Sequence, residues 1–166
     1  MNIVTQEKLA VTPLKKTPWF ALPIIAFCIG LVAYTLSNIQ IVMTDSIEAT
    51  IVWPSDRTPK LGDFVTFKLT NKVIPTPDHT VQVTKILSCN ERQELQKNEG
   101  KWTCDGRFIG NSRDKAINGD QLEQFSFNGY VPKGKAFLTG THKNSFDSRY
   151  WGFVDINSLT TVDKVI

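Results

Sequence analysis

Lys60-Leu61-Gly62-Asp63-Phe64-Val65-Thr66-Phe67-Lys68-Leu69 is a turn that runs into a strand. Gly62-Asp63 breaks the chain, and the residues after it alternate, with Val65, Phe67 and Leu69 on one face. Period-two alternation of this kind marks a half-buried strand. The same grammar extends outward. Residues 71–79 hold two prolines and read as a loop, and 81–87 form a second strand. Trp102-Thr103-Cys104 and Arg107-Phe108-Ile109 flank Asp105-Gly106, a two-residue hairpin signal. Phe125-Ser126-Phe127 and Ala136-Phe137-Leu138-Thr139 predict further strands on either side of Pro132-Lys133-Gly134. Residues 39–53 are mostly apolar and β-branched, with Thr44-Asp45-Ser46 inside them, and 54–59 read as a loop. Helix propensity is concentrated in 92–97. The expected fold is mainly β, antiparallel, with irregular loops.

Upstream of this domain, residues 19–36 are almost continuously apolar and carry no charge. Their length is close to the ~20 residues a bilayer core requires. Lys8, Lys15 and Lys16 precede them against Glu7 alone, and Asp45 and Glu48 follow. The positive-inside bias then keeps the N-terminus in the cytoplasm and sends the remainder across the membrane. Trp19 and Tyr34 stand near opposite ends, where interfacial anchors belong. The expected organisation is a cytoplasmic tail (1–18), one N-terminal transmembrane helix in contact with membrane lipid (19–36) and an exported β domain (37–166). The competing reading is a cleaved secretory signal, whose apolar region is typically ~7–15 residues and ends at a small-residue site. Here the run is longer and ends in Leu36-Ser37-Asn38-Ile39-Gln40, a poor site.

Several function classes are disfavoured. A net charge of +3 over 166 residues, with no basic run interleaved with aromatics, argues against nucleic acid as a partner. His79 and His142 lie far apart with no cysteine or carboxylate at metal-ligand spacing, so no metal is expected. No phosphate-binding glycine loop is present, and no cofactor is expected. A triad of serine, His142 and Asp147 has nothing to position it. Cys28 falls inside the apolar span. Cys89 and Cys104 lie beyond it, on the oxidising side, where two cysteines suggest one disulfide tying off a loop. The alternative is a pair of buried thiols.

Three segments carry candidate chemistry. In strand 81–87 side chains alternate, so Lys85 shares a face with Val81, Val83 and Leu87. An ammonium held there loses hydration, and burial can lower a lysine pKa by up to ~3–5 units. A neutral amine near pH 7 is a competent general base. The plain alternatives are that Lys85 snorkels to the strand edge or discourages edge pairing. Ser46, ten residues beyond the apolar span, is a candidate nucleophile near the membrane surface. An extended link would put it at most ~33–36 Å away. Thr44 could add a hydroxyl to an oxyanion hole beside the Ser46 backbone N–H. The alternative is a simple turn at 44–46. Ser145-Phe146-Asp147-Ser148-Arg149-Tyr150-Trp151-Gly152 places a hydroxyl, a carboxylate, a hydroxyl and a guanidinium within five residues. Asp147 and Arg149 could pair as a charge-assisted fork, leaving Ser145 to hold something else. The alternative is a polar loop closing a strand pair.

Taken in order, Thr44-Asp45-Ser46, Gly62-Asp63-Phe64-Val65-Thr66-Phe67, Lys85 and residues 140–152 resemble the type I signal peptidases. The last segment, Gly140-Thr141-His142-Lys143-Asn144-Ser145-Phe146-Asp147-Ser148-Arg149-Tyr150-Trp151-Gly152, is similar to the loop of the TraF-type conjugative transfer peptidases. The resemblance implies a signal-peptidase-like β fold and a Ser/Lys serine endopeptidase that processes exported precursors, conjugative prepilin among them. It implies a single-pass protein of the cytoplasmic membrane with its catalytic domain in the periplasm or outside. Ser46 would be the nucleophile and Lys85 the general base. Ser145 would orient the lysine, Asp147 and Arg149 would brace the site, and Thr44 would serve the oxyanion hole. Glu48 and Thr50 stand where the family and this branch often have proline and glycine, and Ile86 where arginine usually follows the lysine. Those departures are the basis of the alternative, a non-catalytic exported subunit of a conjugation or secretion apparatus that retains the fold.

Overall fold

The computed structural model describes residues 18–38, 40–41 and 51–165. The chain divides into two compact units at the Ser37–Asn38 boundary. The first contains all but the last residue of helix α1 (Ala21–Asn38), which has no acidic residue in its first turn and no basic residue in its last. Pro23 sits in the opening turn, where a missing N–H leaves no helical bond unmade. Phe27, Ile29, Val32 and most other large side chains of α1 are exposed. At ~1.5 Å per residue a helix of 18 residues reaches ~27 Å, short of a ~30 Å hydrocarbon core. Among the described residues no helix is long and apolar enough to cross a membrane.

The second unit is mainly antiparallel β. Its strands are β1 (Gln40–Ile41), β2 (Ile51–Ser55), β3 (Phe64–Thr70), β4 (Thr80–Cys89), β5 (Glu94–Asn98), β6 (Lys101–Cys104), β7 (Arg107–Asn111), β8 (Gly129–Tyr130), β9 (Lys135–Thr139), β10 (Val154–Asp155) and β11 (Thr160–Lys164). A short helix, α2 (Ser148–Trp151), precedes β10. Seven strands form one sheet in the order β1-β2-β11-β3-β4-β9-β10, and four form another in the order β7-β6-β5-β8.

Alternation builds the two cores. Val65, Phe67 and Leu69 of β3 point into the first, together with Leu87, Ala136, Leu138 and Leu159. Phe137, between Ala136 and Leu138 on β9, points the other way and joins Cys89, Leu95, Trp102, Cys104 and Val131 in the second. Phe125, Phe127 and Phe153 pack against that second cluster. Each fully buried large side chain contributes about 1.5–3 kcal/mol relative to exposure. A register shift in β4 between Leu87 and Cys89 lets the strand serve both cores. The Cys89–Cys104 disulfide then joins β4 to β6 of the other sheet, with Cα atoms 5.7 Å apart.

Gly62, at φ 89°, turns the chain into β3. The turn also grips β4: Gly62 N–H donates to the Leu87 carbonyl at 2.8 Å, and Leu87 N–H donates to the Asp63 carbonyl at 3.0 Å. The expected Asp105-Gly106 hairpin is present between β6 and β7, with both residues at positive φ.

Three local expectations give way. Residues 92–97 do not form a helix, because β5 pairs with β6 on one side and β8 on the other and buries Leu95. Residues 125–127 do not form a strand. Phe125 N–H finds the Arg149 carbonyl at 3.0 Å, and ring packing of Phe125 on Trp102, Phe127 and Phe153 sets the path instead. Pro54 and Ser55, expected in a loop, continue β2 against Val162 and Thr161 of β11. The proline is tolerated because, among the described residues, β1 pairs only with Ile51 and Val52 and no strand pairs with Pro54 on that side.

Candidate functional site

Lys85 lies in the half of β4 that pairs with β3, opposite Val65. It is 2% exposed, which rules out snorkelling to solvent. Its Nζ donates to Ser145 Oγ at 3.0 Å. Burial pushes the ammonium pKa down to about 8; the positive charge of Arg149 adds to that, and the carboxylate of Asp147 opposes it. About a tenth of the amine is then neutral at pH 7 and about half near pH 8, which brings a general base within reach of neutral pH.

The loop after β9 holds Ser145 in position. Asp147 caps α2, accepting the Arg149 N–H at 3.2 Å, and it also accepts the Gly140 N–H at 2.8 Å. The Arg149 guanidinium meets the same carboxylate in a fork, Nε to Oδ1 at 2.7 Å and Nη2 to Oδ2 at 2.6 Å. Both side chains are buried. Burial works against the charge on Arg149, but the hydrogen bonds and charge of Asp147 outweigh it and raise the guanidinium pKa. Nη2 further reaches the Ser145 carbonyl at 3.5 Å, and Nη1 donates to the Asn111 carbonyl of β7. One arginine thus ties the Ser145 loop to the second sheet.

The neighbouring side chains reinforce this. Ser148 Oγ accepts the Leu138 N–H at 2.9 Å, and Tyr150 Oη accepts the Arg113 N–H at 3.0 Å. Gly110 leaves room for Arg149: a Cβ there would sit 2.9 Å from Nη1, at a φ of +143°. Sequence reasoning did not assign roles to Gly110, Asn111, Ser148 or Tyr150. A glycine inside a strand pattern was the available signal for Gly110, since it marks close approach of other groups.

The remaining candidates are placed as follows. Thr44 and Ser46 lie outside the described residues, as do Glu48 and Thr50. His142 Nδ1 accepts the Asn144 N–H, and both Asp147 oxygens are occupied, so these two do not form part of a triad. His79 Nδ1 is hydrogen-bonded to the Ile74 carbonyl. Among the described residues no group of three or more His, Cys, Asp or Glu could hold a metal ion.

Two surfaces flank Lys85. β4 pairs with β3 from Thr80 to Ile86 but meets β9 only from Ile86 onward. Among the described residues, the other edge of 80–85 has no partner strand, and it ends at Lys85. A separate cleft of about 650 Å³ opens beyond Ile86; Arg149 lines it, whereas Lys85 and Ser145 do not. The chemistry is accordingly centred on the lysine, and the cleft is adjacent to it.

The sequence profile of signal peptidase, peptidase S26, matches residues 15–166. Among solved structures, a signal peptidase I from Enterococcus faecalis is similar at 24% identity and a TM-score of 0.41, over 68% of this chain and 99% of that one. No curated protein sequence matches the chain significantly.

Proposed function

The chain belongs to the signal peptidases of peptidase family S26, and from that premise we propose that it is a membrane-anchored serine endopeptidase with a Ser46/Lys85 dyad. Its substrate is an exported precursor protein, and the loop at 140–152 favours a conjugative prepilin processed during pilus assembly. The observation that carries the proposal is Lys85 itself, buried, held by Ser145 and with its pKa lowered to about 8.

In this mechanism neutral Lys85 takes the proton of Ser46 as its oxygen attacks the scissile carbonyl. The Ser46 N–H and the Thr44 hydroxyl stabilise the oxyanion. Lys85 then returns the proton to the leaving amine, and water or the substrate's own N-terminus resolves the acyl-enzyme. An extended precursor is recognised by strand addition, for which the open edge of β4 leading to Lys85 is suited. On this reading the apolar, uncharged residues 19–36 are the membrane anchor, although the described helix is slightly shorter than a typical hydrocarbon core, and the lysines before it favour an N-terminus inside and a β unit on the far side.

Ser46→Ala and Lys85→Ala should each abolish processing of a prepilin while the fold survives, as read by mass spectrometry of the pilin and by circular dichroism. Undiminished cleavage by both variants would sink the assignment. Glu48 and Thr50 support a second reading, a non-catalytic subunit of a conjugation or secretion apparatus. A serine-directed acylating agent separates the two: the peptidase gains the mass of the acyl group at Ser46, and the inert subunit does not.

A further inference from the structure

The cleft beyond Ile86 has an unusual charge balance. Arg107, Arg113, Lys143 and Arg149 all line it, and no aspartate or glutamate does. Arg149 is already committed to Asp147 and Asn111. Arg107 spends one nitrogen on the Ser88 carbonyl at 3.0 Å. Among the described residues, Arg107, Arg113 and Lys143 take part in no ion pair. Arg113 Nε is buried and has no hydrogen-bond partner. A buried donor without a partner is unfavourable and calls for an acceptor. The floor is partly apolar, with Ile86, Leu87, Phe108 and Ile109 contributing. A volume of about 650 Å³ is in the range of sites that enclose a small ligand or a few residues of peptide.

Position identifies the ligand class. A peptide laid along the open edge of β4 must leave it where β9 takes over, at the Ile86–Thr139 pair. Ile86 and Thr139 both line the cleft, as do Gly140 to Lys143 just beyond. Resting on the peptidase reading above, we propose that this cleft binds an acidic stretch of the polypeptide substrate. Arg113 and Lys143 hold its carboxylates, and Phe108 and Ile109 hold an apolar neighbour. Guanidinium suits this task because its fork matches a carboxylate. The cleft then selects precursors with Asp or Glu a few residues from the scissile bond.

The test is fluorescence anisotropy with the full chain in detergent micelles. The probes are a labelled, amidated hexapeptide carrying two glutamates among leucines and its glutamine counterpart. The glutamate peptide should bind roughly tenfold or more tighter, as charge-assisted hydrogen bonds allow, and added salt should narrow the gap. Arg113→Gln combined with Lys143→Gln should erase the preference; Lys143→Gln alone, at an exposed residue, should reduce it without threatening the fold. Equal affinity of the two peptides, or a preference unaffected by these variants, overturns the proposal. A parallel arm measures retention on phosphatidylglycerol vesicles: loss of vesicle binding with peptide preference intact assigns the cleft to lipid headgroups and overturns it as well. Cleavage by the Lys85→Ala variant is scored separately. A glutamate preference without any lysine-dependent cleavage would defeat the peptidase reading and leave the cleft's acidic-peptide specificity standing.

Discussion

Lys85 Nζ and Ser145 Oγ meet at 3.0 Å in a buried site, although 60 residues separate them in sequence. A hydroxyl both donates and accepts, so the contact survives whether the lysine is ammonium or amine. Ser145→Ala should therefore leave substrate binding intact and disorder the base. The expected result is a fall of roughly 10- to 100-fold in kcat with little change in KM, and partial recovery in Ser145→Thr. A raised KM at unchanged kcat would assign Ser145 to substrate binding instead.

The lowered pKa of Lys85 has a defined sign. Only the neutral amine can accept a proton, so cleavage should rise with pH through about 8 and fall away as the ammonium forms below it. A pH–rate profile flat between about pH 7 and pH 9 would exclude Lys85 as the base that limits turnover.

The same shift affects stability. The folded lysine titrates at about 8 and the unfolded one near 10.5, so between those values the unfolded chain binds more protons. Stability contributed by this group rises with pH across that window and is constant below it. At pH 7 the folded state carries the full cost of the buried ammonium. Lys85→Met should remove it and gain about 1–3 kcal/mol in urea unfolding while eliminating cleavage. A destabilised Lys85→Met protein would contradict this account.

Asp147 and Arg149 form a buried, bidentate pair. Removing one partner leaves the other charged and unpaired, so Asp147→Leu or Arg149→Met alone should each cost about 3–5 kcal/mol. Replacing both, as Asp147→Leu with Arg149→Met, should cost less than the sum of the single changes. Denaturant unfolding of the four proteins measures the coupling, and additive losses would show that the pair acts as two independent groups.

Gly110 makes space for the guanidinium that Asp147 holds. Gly110→Ala combines a strained φ with a close approach to Arg149, and about 1–3 kcal/mol of destabilisation is expected. Because the strain falls on Arg149, kcat should drop with it; a variant of native stability and activity would show that the loop tolerates a shifted arginine.

Much of the architecture is encoded within a few residues. The alternation of Val65, Phe67 and Leu69, the Gly62-Asp63 turn and the Asp105-Gly106 hairpin each follow from local backbone and side-chain geometry. Cys89 and Cys104 were the two cysteines beyond the apolar span, and they are bonded. The Asp147–Arg149 fork is similarly local, two residues apart. What the sequence could not decide by itself is set by partners far along the chain. Residues 94–98 became a strand because β6 and β8 supplied ladders on both sides, overriding helix propensity. Residues 125–127 lost strand structure to ring packing against Trp102 and Phe153. Lys85 has two local explanations on its strand, snorkelling or edge protection. Only the sheet order, which closes β9 and its loop over β4, removes the lysine from water and brings Ser145 to it. Burial and long-range contact depend on the packed whole, whereas periodicity and turn chemistry depend on neighbours in the chain.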